Sequence, residues 1–500
     1  MIRKITDYLE TTAARLPQKN AISDQKRTLT FTTLRDEARH IGTSLAEAGL
    51  FKQPVAIFLD KSVECVAAFL GTAYSGNFYT PIDTAMPEPR IEKILAVLEP
   101  VAIITDAAHA EQAKAFSGGA QIFVYEEMQQ NPIDEACLEL VSSKIIDADV
   151  LYVFFTSGST GTPKGVTISH RAVIDFTEWG AETFRIDEKH ILGNQGPLYF
   201  DLSIFDVYQM LKTGAELNLI PEKLFMFPPM LLNYMKEKHI NTIFWVPSAL
   251  CIVANAGIFS SIELPDINKV FFCGEVMPNK QLNIWRNAFP NVMFVNLYGP
   301  TESVDACTYY IVDRPFLDDE MLPIGVPCKN SDVFVLDENN CLVEGTGMGE
   351  LCVRGTCLAY GYYRNLEKTA AAFVQNPLNT SFPEVIYRTG DLVRYNERGE
   401  LIYVSRKDFQ IKHKGYRIEL GEIETAVSAL SGVTMNCCLY DTEKSEIVLF
   451  YTGDVQAKEV LAALKTSLPS YMLPQRTEKL ETMPLNLNGK IDRTALKERL

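Results

Sequence analysis

Three observations predict a layered α/β fold with a small second domain at its C-terminal end. Short β-rich runs alternate with amphipathic helical stretches over most of the chain. Near residues 405–408 a strand-like ELIYV gives way to a polar, charged run. The charge balance changes there too: residues 406–500 carry 14 Lys/Arg against 13 Asp/Glu, and the preceding part carries 33 against 50. The prediction is a large acidic domain over 1–405 and a small, near-neutral α+β domain over 406–500.

The elements follow in chain order. PVAIFL (54–59) reads as a strand and 62–75 as the next helix. VLYVFF (150–155), TIFWV (242–246) and VFFC (270–273) are further strands, and a late helix is expected over 418–430. No internal repeat or low-complexity tract breaks the pattern.

Composition bounds the function. Five hundred residues suggest about three domain-sized units by the length prior. A hydrophobic fraction of 47% with 22% charged residues is that of a soluble globular enzyme. The net charge of −16 argues against nucleic acid or an anionic membrane as partner. MIRKITDYLE is too polar for a signal peptide, and no apolar run reaches membrane-spanning length. Eleven cysteines without a CxxC pair read as reduced thiols of a cytoplasmic protein. Six dispersed histidines propose no zinc site.

The most informative stretch is FTSGSTGTPKGV (155–166), between two strand-like segments. Gly158, Gly161 and Gly165 let backbone N–H groups converge on an anion. Thr156, Ser157, Ser159, Thr160 and Thr162 add hydroxyls, and Lys164 adds a charge. It is not a Walker loop, because Pro163 precedes the lysine and Gly165 follows it. The bland alternative is a surface turn; the chemistry suits a polyphosphate cradle.

Six further motifs follow in order: YFDLSIFD (199–206), NLYGPTE (296–302), GELCVRG (349–355), YRTGD (387–391), RKDFQIKHKGYRIELGEIE (406–424) and NLNGKIDR (486–493). Together they resemble the adenylate-forming superfamily, specifically amino-acid adenylation domains and D-alanine–carrier-protein ligases, over nearly the whole chain. The resemblance implies ATP and Mg²⁺, an acyl-adenylate intermediate, and a C-terminal domain that rotates on a hinge at Asp408. It implies Lys490 and Lys412 as catalytic residues and Glu302 as the metal ligand. It implies nucleotide contacts from Thr156, Ser157, Gly158, Thr160, Lys164, Gly274, Glu275, Asn296, Tyr298, Gly299, Thr301, Asp391 and Arg406. Tyr298 would stack on adenine, Asp391 would accept the ribose hydroxyls, and Gly415 would let a phosphopantetheine arm pass. Ser405 departs from the usual glycine before Arg406, and hinges need not be glycine.

By the same resemblance Asp201 pairs with the α-ammonium of an amino acid, against the plainer role of a helix N-cap. Leu202, Phe205, Trp245, Phe271, Cys273, Leu297, Asp305 and Ala306 would line the pocket with Lys490. Their bulk implies a small amino acid: D-alanine, or a small L-residue such as serine, threonine or proline. Asp305 departs from the apolar residue of the D-alanine ligases and suggests a polar group on the substrate or a side chain turned to water. The chain ends ten residues after Lys490, so the expected acceptor is a separate phosphopantetheinylated carrier protein. Alternatives are an acyl-CoA synthetase and a non-catalytic adenylate-binding protein.

Overall fold

In the computed structural model, which describes residues 2–158, 161–486 and 491–500, the predicted strands and helices form with few shifts. The helix expected over 62–75 runs Val63–Tyr74, and the Ser62 hydroxyl accepts the Cys65 N–H at its start. Every residue of it except Glu64 is buried, packed against the helix Phe31–Glu47. Pro54–Phe58, Val150–Thr156, Thr242–Trp245 and Lys269–Phe272 are the four predicted strands. Pro54–Phe58 is buried at all five positions, as a parallel strand covered on both faces is.

The chain divides into two compact units. The first comprises Met1–Thr84, Glu99–Phe154 and Gly165–Lys407. Its nine-stranded sheet has a parallel centre: Met293–Tyr298, Lys269–Phe272, Thr242–Trp245, Ile191–Asn194, Glu216–Leu219 and Asn20–Ser23, side by side. Antiparallel strands Thr308–Ile311 and Thr28–Thr30 flank that centre. A six-stranded sheet holds Pro54–Phe58 and Val150–Thr156, and a five-stranded antiparallel sheet spans Ser331–Arg406. A single hydrophobic core runs through both larger sheets, so the large part folds as one body although its length suggested more.

The second unit comprises Ala85–Leu98, Phe155–Lys164 and Asp408–Leu500. It contains a hairpin, Gln410–His413 with Tyr416–Glu419, and a three-stranded sheet over 433–479. Lys414 and Gly415 turn the hairpin at φ 52° and 81°, the two positive values of a type I′ turn. That pairing delays the helix expected from 418, which runs Leu420–Ser428. Arg406 belongs to the first unit because it ends the strand Leu401–Arg406, in register with Asp391. No helix among the described residues is long and apolar enough to cross a membrane.

Candidate active site

Asp391 is delivered by an irregularity in the antiparallel sheet. Glu350 pairs with Leu392 and Cys352 with Arg388, so Thr389, Gly390 and Asp391 all stand opposite Leu351. Such a bulge re-aims a side chain. The Thr389 hydroxyl donates to Leu351 O at 2.8 Å and accepts the Asp391 N–H at 3.0 Å. Glu350 supports the turn from below, accepting Gly390 N–H at 3.1 Å and pairing with Arg388 and Lys407. The buried Asp391 carboxylate accepts from the Tyr298 hydroxyl on one oxygen and from Arg406 Nη1 at 2.6 Å on the other. Burial beside Asp391 pushes the Tyr298 phenol far above its usual range, so it remains a donor.

The NLYGPTE segment leaves the strand Met293–Tyr298 and turns back on itself. A Cβ on Gly299 would lie 2.6–2.8 Å from the backbone of residues 305–307, so only glycine fits. A 3₁₀ turn, Thr301–Ser303, then buries Thr301 and Glu302. The Tyr362 hydroxyl donates to Glu302 Oε1 at 2.7 Å. Val304 follows at φ 73° and ψ −64°, with Asp305 N–H bonded to Ser303 O at 3.0 Å. This is a γ-turn of the strained hand, carried by a buried β-branched residue. It separates two buried carboxylates, Glu302 and Asp305, by a single tight reversal.

Asp201 precedes the helix Leu202–Thr213, and its carboxylate makes no capping hydrogen bond. The N-cap role is therefore not the one it plays. Leu202 and Phe205 are buried on that helix. The Phe205 ring packs 5.2 Å from both Phe271 and Phe244, and Phe271 lies 4.8 Å from Phe184. Trp245 is fully buried, its indole N–H on Gly193 O at 2.9 Å and its ring against Phe225. Cys273 Sγ lies 4.0 Å from Asp305 O, and Leu297 and Ala306 are buried. Gly274 turns at φ 96°; Glu275 caps the helix Pro247–Asn255 through Ser248 N–H at 3.0 Å. The Asn296 amide is bonded to Pro323 O at 2.8 Å.

In the second unit the 155–164 loop is matched by carboxylates. A Cβ on Gly158 would lie 2.0 Å from Thr162 O, and its N–H donates to Glu422 Oε2 at 3.3 Å. Lys164 Nζ stands 3.3 Å from Glu419 Oε1. Ser157 Oγ donates to Arg417 O at 2.7 Å and accepts the Glu419 N–H at 3.1 Å. Arg90 pairs with Glu422, whose carboxyl is pushed up by burial against the pull of that arginine. The buried Thr156 hydroxyl has no hydrogen-bond partner among the described residues. The loop thus binds anionic oxygens through backbone N–H and lysine. Lys412 lies on the hairpin in register with Arg417, and Asp408 accepts the Gln410 N–H at 3.2 Å. Thr160 and Lys490 lie outside the described residues.

A family model described as AMP-binding enzyme matches residues 9–363. The chain belongs to this family of AMP-binding, adenylate-forming enzymes. It is 31% identical to the D-alanine–D-alanyl carrier protein ligase of Staphylococcus aureus, over 99% of either chain. It is 32% identical to one component of the mycosubtilin synthase of Bacillus subtilis over 99% of its own length, spanning 19% of that much longer protein. The Vibrio cholerae adenylation domain AlmE, solved with glycyl-adenosine-5′-phosphate, shares the fold at a TM-score of 0.86 and 23% identity, covering 100% of this chain and 98% of that one.

For an AMP-binding enzyme, the sequence left several site residues unnamed. Tyr362 grips Glu302 from sixty residues away, and nothing local marks it. Tyr152 is fully buried, its hydroxyl has no hydrogen-bond partner among the described residues, and burial, helped by the negative charges of Asp201 and Asp305, pushes its phenol up. Glu350, Arg90, Glu419 and Glu422 are further partners visible only in three dimensions.

Proposed function

We propose that this AMP-binding enzyme activates a small amino acid with ATP as its aminoacyl-adenylate and passes it to the phosphopantetheine thiol of a carrier protein. The observation that carries the reading is Asp201: a carboxylate at a helix start, making no cap, ahead of a helix whose Phe205 ring packs on Phe244 and Phe271. A carboxylate so placed suits an α-ammonium, and the bulky rings of Phe205 and Phe271 favour a substrate with a small side chain. D-alanine and a small L-residue such as serine, threonine or proline fit that description. Likeness to the Staphylococcus aureus ligase supports a separate carrier.

In the first step a substrate carboxylate oxygen attacks the α-phosphorus and pyrophosphate leaves. In the second a thiol sulfur attacks the acyl carbon and AMP leaves. Gly158 N–H, Thr156 and Lys164, with Thr160, would cradle the phosphates. Thr301 would hold phosphate oxygens, Tyr298 would stack on adenine, and Asp391 with Arg406 would hold the ribose. Glu302 would hold Mg²⁺ through its hard carboxylate oxygen, and the bound ion would supply charge neutralisation at the phosphates. Lys490 would bridge the two reacting anions in the first step, Lys412 would reach the nucleotide, and Asp408 would be the pivot of the domain that carries both lysines. We place the reaction in the cytoplasm.

The acceptor decides between a carrier ligase and a CoA synthetase. Protein, ATP and the activated amino acid are offered a phosphopantetheinylated carrier domain or free CoA, with products read by mass spectrometry. Aminoacyl carrier is the expected product; an acyl-CoA thioester with an unmodified carrier contradicts the reading.

A further inference from the structure

Lys61 has no part in the motifs above, yet its ammonium is placed with care. It stands between the strand Pro54–Phe58 and the helix Val63–Tyr74, half-buried in the first unit. Its Nζ donates to Gln195 O at 3.0 Å and to Asn194 O and Ile220 O at 3.4 Å. Asn194 ends one central strand and Ile220 directly follows its neighbour, Glu216–Leu219. One lysine therefore gathers three carbonyls at the C-terminal edge of the parallel sheet, the edge at which open α/β sheets bind ligands.

The tethered segment is the one that leads to Asp201. Gln195 is fixed a second time, its side-chain oxygen accepting Val246 N–H at 3.3 Å. The Asn194 amide donates to Asp206 Oδ2 at 2.9 Å, and Asp206 is buried one helical turn beyond Leu202. Both ends of residues 195–201 are thus held: the strand end by Lys61, the helix start through Asn194 and Asp206. Burial lowers the ammonium's titration, and Glu222 and then Asp206 pull it partly back up.

We propose that Lys61 is a positioning residue, whose ammonium clamps the ends of the strands Ile191–Asn194 and Glu216–Leu219 and thereby sets the segment that presents Asp201 to the amino acid. The second half of this statement rests on the proposed function; the first half does not. Burial pulls the Lys61 ammonium down to about 8 and pushes the Asp206 carboxyl up to about 7, as expected for charges held off solvent.

Lys61→Met keeps the stem and removes the donors. Hydrogen exchange followed by mass spectrometry reads the clamp without catalysis: amides of residues 195–205 and of Ile220 should exchange about tenfold faster, with the paired strands Val433–Asp441 and Glu446–Gly453 of the second unit unaffected. Unchanged exchange over 195–205, or acceleration spread over the whole chain, overturns the clamp. Amino-acid-dependent ATP–pyrophosphate exchange reads the presentation of Asp201: the amino-acid KM should rise about tenfold or more while the ATP KM stays within about twofold. Equal changes in both KM values would mean a general structural role and overturn the positioning assignment. If the wild-type enzyme shows no amino-acid-dependent exchange, the proposed function fails, and the hydrogen-exchange result alone decides the clamp.

Discussion

The Tyr362 hydroxyl, sixty residues further along the chain, holds one carboxylate oxygen of Glu302. A hydrogen bond to a buried carboxylate contributes about 1.5–3 kcal/mol, so losing it loosens the one carboxylate proposed to face the metal. Tyr362→Phe is expected to raise the Mg²⁺ concentration for half-maximal activity about tenfold, beside a modest drop in the thermal midpoint from the lost bond. A magnesium titration of the exchange reaction reads this, and an unchanged requirement would remove Tyr362 from the account. At this scale the sequence was legible where a motif is contiguous. Thr301 and Glu302 in GPTE and Asp391 in TGD are each set by the turn they sit in. Tyr362, Tyr152 and Lys61 were not legible, because their partners are brought to them by tertiary packing alone.

The 155–164 loop shows an element committed to anions. Its Lys164 and Gly158 N–H are met by Glu419 and Glu422, both at the start of the helix Leu420–Ser428, where negative charge is favoured. Phosphate oxygens must displace these carboxylates to use the same donors. Glu419→Gln removes one competitor and is expected to lower the ATP KM several-fold, on the order of the 1 kcal/mol such a part-buried pair contributes. An initial-rate ATP titration checks it; a raised KM would show that Glu419 supports the loop instead of opposing the nucleotide. The loop's place between two strands followed from its flanks. The helix start near 418 did not: the Lys414–Gly415 turn pairs residues 416–419 as a strand before the helix can begin. Glycine at 415 also suits that turn, which it takes at φ 81°.

For the whole molecule, acid stability depends on His170. It is buried, accepts the Ile5 N–H on Nδ1 at 3.3 Å, and burial pulls it down to about 4. An unfolded histidine titrates near 6.5. Above that pH both states are neutral and the stability is fully present. As pH falls from 6.5 towards 4 the unfolded chain takes the proton first, and stability is lost by of order 3 kcal/mol. His170→Gln should start less stable at pH 7 and lose less on acidification; urea unfolding at pH 7, 5 and 4 reads the two slopes, and parallel slopes would contradict the assignment. The layered α/β class was legible at this scale because the parallel strands are continuous apolar runs. The grouping of 85–98 and 155–164 with the C-terminal residues was not, since it joins residues hundreds of positions apart, as the pairs Arg90–Glu422 and Lys164–Glu419 show.

The measurement that tests the central claim most directly is ATP–pyrophosphate exchange with the proteinogenic L-amino acids, D-alanine, D-serine and β-alanine, each beside its analogue lacking the amino group. The account predicts exchange with one or a few small amino acids, none with the deaminated analogues, and loss of the amino-acid response in Asp201→Asn. Exchange driven equally well by the deaminated acids, or undiminished in Asp201→Asn, would contradict it.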